Sequence, residues 1–497
     1  MTFAHKKVLI LGLGESGLSA AHWLLRCGAQ LRVADTRESP ERLAQLLGVA
    51  PDCEFVGGSF TLALLDDIDF IVVSPGLSEL NELLEIAPAA REREIPMWSE
   101  IEIFSQSLKE LRATQEYQPK ILAITGTNGK TTVTSLVGLL VERAGKSVKI
   151  AGNISPAVLD VLRECVDQKT LPDVWVLELS SFQLHSTYSL QADAATVLNV
   201  TQDHLDWHGS MGAYTADKAR IFSDSTVQVL NRDDSLVMQM QNVTSDLITF
   251  GQSAPVRINE FGLSSEHDMN WLCVANPTDD EVAVPKRRAK HQPIPEVEIY
   301  VARLMPADAL KIRGKHNALN ALAALALCRA IRLPLAPLLH GLRDYQGEPH
   351  RVELIATIGE VEYYDDSKGT NVGATVAALN GLADAHSKIV LIAGGVGKGQ
   401  DFGPLHDPIA KGVAVLILIG EATDAIAHVA DGTGAEMVRC VTLEQAVQVA
   451  AAKARHGDKV LLSPACASFD MFKNYAHRAK VFSDAVKELA YSRGELA

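Results

Sequence analysis

Residues 125–132 run Thr125-Gly126-Thr127-Asn128-Gly129-Lys130-Thr131-Thr132. They follow the apolar stretch Ile121-Leu122-Ala123-Ile124 and precede Val133-Thr134-Ser135-Leu136-Val137-Gly138-Leu139-Leu140. Strand, glycine loop and helix in that order commit this part of the chain to an α/β sheet with an anion at a strand's carboxyl end. The glycines allow a turn tight enough for several N–H groups to face one anion, and the helix adds the positive end of its dipole. Lys130 supplies a mobile positive charge for the β- and γ-phosphates, and Thr131 a hydroxyl able to ligate Mg²⁺. The long form of this loop has glycine where Ile124 stands, so GTNGKT is a short variant. The motif reads as a nucleoside triphosphate site in an ATP-using protein.

The chain has 497 residues, too many for one hydrophobic core and enough for about three domains. Lys and Arg number 46 against 61 Asp and Glu, a formal net charge of −15, and no long basic stretch breaks the pattern. Nucleic acids and anionic membranes need clustered cations, so neither is an expected partner. The seven cysteines are scattered without a CxxC pair, which fits reduced thiols and a cytoplasmic location. No signal-peptide pattern and no membrane-spanning apolar run is expected.

Lys7-Val8-Leu9-Ile10-Leu11 reads as a buried strand, followed by Gly12-Leu13-Gly14-Glu15-Ser16-Gly17, a helix over 18–27 and a second strand ending at Asp35. A GxGxxG loop with an acidic residue about 20 positions on is the dinucleotide fingerprint; a plain loop carboxylate is the other reading of Asp35. A strand over 70–73 stops at Ser74-Pro75-Gly76, so these loops converge on one sheet edge. A polar stretch over 105–119 leads into the phosphate loop. Beyond it, a strand over 173–177 ends at Glu178, and one over 194–198 ends at Asn199 ahead of Thr201-Gln202-Asp203-His204. Periodicity fades over 252–306, which is rich in proline and mixed charge and includes Lys286-Arg287-Arg288; this reads as an irregular surface insertion. Strands near 361–364, 388–393, 413–419 and 459–462 alternate with helices such as 372–382, 443–453 and 476–489. The expected fold is α/β, with three domains in series: Rossmann-like over 1–110, a central P-loop ATPase type over 111–347, and Rossmann-like again over 348–497.

The last domain places Asp365-Asp366-Ser367-Lys368-Gly369-Thr370-Asn371, Gly394-Gly395-Val396-Gly397-Lys398-Gly399 and Ser463-Pro464-Ala465-Cys466-Ala467-Ser468 at strand ends, where lysines and hydroxyls suit an anionic partner such as an amino acid. With ATP central and a nucleotide-linked acid in front, the economical reaction is carboxylate activation: the γ-phosphate passes to the acid and an amine displaces it. A folylpolyglutamate-synthase-like ligase is a second reading, against which residues 1–110 stand. A non-catalytic nucleotide switch is a third, but no NKxD-type guanine motif is present.

Several motifs in one order resemble the Mur ligase family of peptidoglycan synthesis across nearly the whole chain. They are TGTNGKTT at 125–132, AGNIS around Asn153, LELSSFQL around Glu178, NVTQDHLDWH at 199–208, GKHNALNALAA at 314–324, HRVE at 350–353, DDSKGTN at 365–371, GGVGKG at 394–399 and SPACASFD at 463–470. DSKGTN with SPACASFD points to the D-glutamate-adding branch. The resemblance implies that Gly126, Thr127, Asn128, Gly129, Lys130, Thr131 and Thr132 hold the ATP phosphates. It implies two Mg²⁺ ions, with Thr131 and Glu178 on one and His204 on the second. Lys218 matches a lysine carried as a carbamate, which makes it an anionic metal ligand. Asn317 and Asn320 would face adenine, and Arg351 and Asp366 the nucleotide's phosphates and ribose. Ser16, Asp35, Thr36, Arg37 and Gly76 match contacts to uridine diphosphate, so the fingerprint would serve UDP, and Asn153 would lie along the muramoyl group. Lys368, Thr370, Lys398 and Ser468, with backbone near Tyr475, match the D-glutamate positions. The implied substrates are UDP-N-acetylmuramoyl-L-alanine and D-glutamate; a cytoplasmic monomer is expected, and because the amine must reach an acyl phosphate while water stays out, the C-terminal domain is expected to close on the others. Glu15, beside the diphosphate position, departs from the pattern unless it points away.

Overall fold

The computed structural model describes residues 3–267, 269–278, 298–383 and 387–495. They form two compact units: residues 1–200, 204–305 and 321–342 make the first, and 201–203, 306–320 and 343–497 the second. Among the described residues, no helix is long and apolar enough to cross a membrane.

The first unit contains two sheets. The five-stranded one comprises β1 (Lys7–Leu11), β2 (Gln30–Asp35), β3 (Glu54–Gly57), β4 (Phe70–Val73) and β5 (Met97–Trp98) in the order β3-β2-β1-β4-β5, all parallel. Val8, Leu9, Ile10 and Leu11 are all fully buried, as an unbroken apolar strand must be when helices cover both faces. The strand order reverses between β1 and β4, which opens a crevice beyond their carboxyl ends. The stretch read as polar, 105–119, lies largely in the helix Glu100–Gln115. Ser99 caps that helix by accepting from the Glu102 N–H, and Ile101, Ile103, Phe104, Leu108 and Leu111 supply its buried stripe.

The nine-stranded sheet comprises β6 (Lys120–Thr125), β7 (Val148–Gly152), β8 (Val174–Glu178), β9 (Ala194–Val197), β10 (Val227–Asn231), β11 (Leu247–Phe250), β12 (Glu260–Glu266), β13 (Met269–Pro277) and β14 (Ile299–Pro306), ordered β14-β13-β12-β11-β10-β9-β6-β8-β7. The last three strands correct the expectation of an irregular insertion over 252–306. β12 and β13 pair antiparallel, with Phe261 opposite Val274 and Leu263 opposite Leu272, and these four side chains are buried. Their residues are buried in runs, Glu260 to Leu263 and Leu272 to Ala275, rather than at every second position, so no period-two pattern marks them as strands. Lys286-Arg287-Arg288 lies outside the described residues.

The second unit carries β15 (Glu353–Ile358), β16 (Val361–Asp365), β17 (Ile389–Gly394), β18 (Val413–Ile419), β19 (Glu436–Arg439) and β20 (Lys459–Leu462) in the order β15-β16-β20-β17-β18-β19. Only β15 runs antiparallel to its neighbour. Ile389 to Ala393 and Leu416 to Ile419 are almost wholly inaccessible to water, so the apolar strands of the motif-bearing domain form its centre.

Candidate active site

The phosphate loop leaves the end of β6, whose neighbours are β8 and β9, so the loop, Glu178 and Asn199 meet at one sheet edge. Gly126 has φ +153° and Gly129 φ +85°; a side chain on Gly126 would meet Leu198 Cβ at 3.0 Å. Gly129 opens the helix Lys130–Arg143, whose first N–H groups therefore face the loop's interior. Asn199 fastens the loop: its carbonyl accepts from the Thr127 N–H at 2.9 Å and its side-chain oxygen from the Asn128 N–H at 2.8 Å. Lys130 Nζ curls back to the carbonyls of Gly126 and Thr127 at 2.9 and 2.8 Å. Thr131 and Thr132 are buried in the first turn.

Lys218, 1% exposed, approaches the same loop from the helix Met211–Ala219 and donates to the Gly126 carbonyl at 3.0 Å. Its ammonium lies 4.4 Å from the centre of the Tyr214 ring, and Tyr214 in turn shares a hydrogen bond with Thr127 Oγ1 at 3.1 Å. Glu178 is buried at the end of β8, with Oε1 accepting from Asn153 Nδ2 at 2.9 Å. Its other oxygen is buried and has no hydrogen-bond partner among the described residues. A buried carboxylate oxygen left over in this way fits a metal ion, as does a threonine hydroxyl at the same sheet edge. His204 takes a left-handed conformation, φ +54°, to start the short helix Leu205–His208, and its ring packs 4.8 Å from that of Phe182.

Behind these groups lies a second layer, to which the sequence assigned no role although His208 and Ser181 fall within two of the motifs. Asp217 accepts from Nδ1 of both His185 and His208 at 3.0 Å, and His208 Nε2 pairs with Ser181 Oγ at 2.9 Å. His185 Nε2 stands 3.5 Å from Glu79, which accepts from Arg91 at 2.8 Å. The hydrogen bond to Asp217, with that to Glu79, lifts the His185 pKa to about 9 against the effect of burial. The sequence signals were the adjacency of Asp217 to Lys218 and the places of Ser181 and His208 within LELSSFQL and NVTQDHLDWH.

At the front sheet, Asp35 is held by the loop it follows. Its carboxylate accepts from the Leu13 N–H at 2.7 Å and from Arg37 N and Nε at 2.9 and 2.8 Å. Burial opposes ionisation, yet the Arg37 hydrogen bond and the two amides hold its pKa down at about 2. Ser74 Oγ donates to the Gly12 carbonyl at 2.8 Å, which places Gly76 beside the glycine loop. Ser16 lies in the first turn of the helix Glu15–Arg26, while Thr36 and Arg37 are exposed just beyond β2. Glu15 is turned aside: both its oxygens accept from Ser155 Oγ, at 2.8 and 2.9 Å.

In the second unit, the three motif loops leave β16, β20 and β17, three adjacent parallel strands. Lys368 and Thr370 follow β16, Ser468 follows β20 and Lys398 follows β17. Gly395 (φ +128°) lets the second and third loops touch, since a side chain there would lie 2.2 Å from the Ala467 carbonyl. Arg478, buried in the helix Tyr475–Ser492, donates to the carbonyls of Ser367 at 2.8 Å and Cys466 at 3.2 Å, tying two of the loops together. Lys368 Nζ sits 5.3 Å from the Tyr475 ring centre, at that helix's N-terminus. Burial raises the Asp366 pKa to about 7 against the Ser463 hydroxyl, which donates to it at 2.7 Å. Arg351 is the nearby cation that also counters this rise. Asn320 Nδ2 donates to Asn317 Oδ1 at 3.1 Å on the helix Lys315–Ala330.

A phosphate loop with a buried carboxylate beside it, a glycine-loop sheet in front and a lysine-rich set of strand ends define an α/β enzyme that uses a nucleoside triphosphate. The Mur ligase MurD-like N-terminal domain matches residues 6–95, the Mur ligase middle domain 124–328, and the Mur ligase glutamate ligase domain 350–466. UDP-N-acetylmuramoylalanine–D-glutamate ligases from Ralstonia nicotianae and Cupriavidus pinatubonensis are 57% and 58% identical, each over 98% of both chains. The fold is also similar to the crystal structure of UDP-N-acetylmuramate-alanine ligase from Thermotoga maritima, at 19% identity and TM-score 0.55 over 97% of this chain and all of that one. Mycobacterium tuberculosis folylpolyglutamate synthase is similar over 78% of this chain and 94% of its own, with TM-score 0.51 and 17% identity. The chain belongs to the Mur ligase family.

Proposed function

We infer that the chain joins the amine of D-glutamate to the carboxylate of UDP-N-acetylmuramoyl-L-alanine, with ATP cleaved to ADP and phosphate, in the making of peptidoglycan precursors. The observation that carries this reading is the 57–58% identity to D-glutamate ligases along both full chains. The reaction runs in two transfers. The acid's carboxylate oxygen attacks the γ-phosphorus and forms an acyl phosphate as ADP leaves. The amine then attacks the acyl carbon, phosphate departs with that oxygen, and the amine's proton goes to solvent or a nearby base.

Lys130 and the N–H groups of Gly126 to Thr132 stabilise charge on the transferring phosphoryl group. Thr131, Glu178, His204 and a carbamylated Lys218 are the residues to hold two Mg²⁺ ions, which supply charge neutralisation for the phosphates. The carbamate forms when the Lys218 amine adds carbon dioxide and releases a proton; the buried nitrogen beside the phosphate loop suits this. Asn317, Asn320, Arg351 and Asp366 serve the rest of the nucleotide. Ser16, Asp35, Thr36, Arg37, Gly76 and Asn153 serve the UDP-sugar, with Asp35 acting chiefly as the brace of the glycine loop. Lys368, Thr370, Lys398, Ser468 and the backbone at Tyr475 receive the two carboxylates of D-glutamate, for which paired cations are the physical requirement. This divides the work among residues 1–110, 111–347 and 348–497, in a cytoplasmic monomer.

Oxygen transfer tests the reading. UDP-N-acetylmuramoyl-L-alanine labelled with ¹⁸O in its alanyl carboxylate should pass one label to the released phosphate, only when D-glutamate and ATP are both present. Unlabelled phosphate would rule out the acyl phosphate. Turnover with a folate substrate instead would rule out the assigned substrates.

A further inference from the structure

The layer behind the phosphate loop reaches each of the three elements that carry Glu178, His204 and Lys218. Asp217 is the residue before Lys218 on the helix Met211–Ala219. His208 is the last residue of the short helix that His204 starts. Ser181 opens the helix Ser181–His185, three residues after Glu178 at the end of β8. These elements meet at one centre: Asp217 accepts from His208 Nδ1 at 3.0 Å, and His208 Nε2 pairs with Ser181 Oγ at 2.9 Å. A carboxylate only accepts, so the proton of His208 sits on Nδ1, and in the neutral ring Nε2 accepts from the serine hydroxyl. In either protonation state His208 links Asp217 to Ser181. The His208 side chain is wholly buried, with its ring stacked 5.5 Å from Phe182 at an interplanar angle of 9°. His185 adds a second donor to Asp217 and leads outward to Glu79 and Arg91.

We propose that Asp217 is a positioning residue: through His208 and Ser181 it fixes the three elements that bear Glu178, His204 and Lys218, and thereby sets the affinity of the metal site. The proposal rests on the metal-site reading above. None of these three groups has to touch metal or phosphate. They act as the outer hydrogen-bond partners that orient ligands, whose loss commonly weakens metal binding by about 10–100-fold.

The test is equilibrium binding of Mn²⁺ to the full chain with a non-hydrolysable ATP analogue, read by electron paramagnetic resonance, in the native protein, Asp217→Ala, Asp217→Asn and Ser181→Ala. Asp217→Ala should weaken Mn²⁺ binding by roughly tenfold or more, and Asp217→Asn, which keeps the shape but gives up one acceptor, by less. The KM for D-glutamate should stay within about twofold, because its residues lie on another sheet. A native-like Mn²⁺ isotherm in Asp217→Ala, with only a lowered melting temperature, would reduce the residue to ordinary packing and overturn the proposal. If Asp217→Ala does not fold, Ser181→Ala decides, since it removes one hydroxyl and should still weaken binding several-fold. Failure of the native protein to bind Mn²⁺ with the analogue would instead remove the metal-site reading underneath.

Discussion

Lys130 and Lys398 are both loop lysines, yet their surroundings assign them different work. Lys130 begins a helix and bends back over the carbonyls of Gly126 and Thr127, where its charge can follow a phosphoryl group in transfer. Lys130→Ala should lower kcat by about 10³-fold, the scale of losing one preorganised charge donor, with little change in melting temperature. Retention of near-native turnover would displace the lysine from the phosphates. Lys398 follows β17 with φ +49°, a left-handed conformation that non-glycine residues adopt when the surroundings demand it. Lys398→Ala should raise the KM for D-glutamate by about 10–100-fold, as expected for a charge-assisted carboxylate contact, and leave that for ATP unchanged. Steady-state kinetics with each substrate varied in turn separates the two outcomes.

Elements meet at distances that allow no extra atoms. Gly152 ends β7 at φ +116°, and a side chain there would stand 2.2 Å from the Glu178 carbonyl. Gly152→Ala must push β7 and β8 apart just where Glu178 is displayed. A stability loss of about 1–3 kcal/mol is expected in urea unfolding, with a higher Mg²⁺ concentration needed for half-maximal activity in the assay. The joint between the helix Ser181–His185 and Glu79 is sensitive to pH. His185 has its pKa raised from 6.5 to about 9, so its stabilisation is complete below about 6.5 and is lost as pH climbs through 9. The native melting temperature should therefore fall between pH 6.5 and 9, and His185→Gln should flatten that part of the profile. These joints also mark the limit of what could be read from the sequence. GTNGKT and GGVGKG each follow an apolar run and DSKGTN follows the mixed strand Val361–Asp365, so the place of each loop at a strand end was legible from contiguous residues. Asp217, His208 and Ser181 become one unit only through space. β12 to β14 carry no period-two pattern, because the first two are buried in runs and all three mix polar with apolar residues. Asp35 was legible as a strand-end acid, whereas its work of bracing Leu13 depended on a hydrogen bond that no spacing reveals.

At the scale of the molecule, the residues assigned to the UDP-sugar all lie in the first unit and those assigned to D-glutamate all lie in the second. Large multi-domain chains seldom unfold in one step, and a ligand stabilises the unit that binds it by about 2.7 kcal/mol at 100 times its dissociation constant. Calorimetry should show the UDP-substrate raising one transition while leaving another in place. A single endotherm that moves as a whole would show the two units to be energetically fused. The buried guanidinium of Arg478, shared between the Ser367 and Cys466 carbonyls, bears on inhibitor chemistry. A compound that wedged those two loops apart would strand a cation in a dry interior, so a ligand aimed at the proposed amino-acid site has to fit the loops at their present spacing.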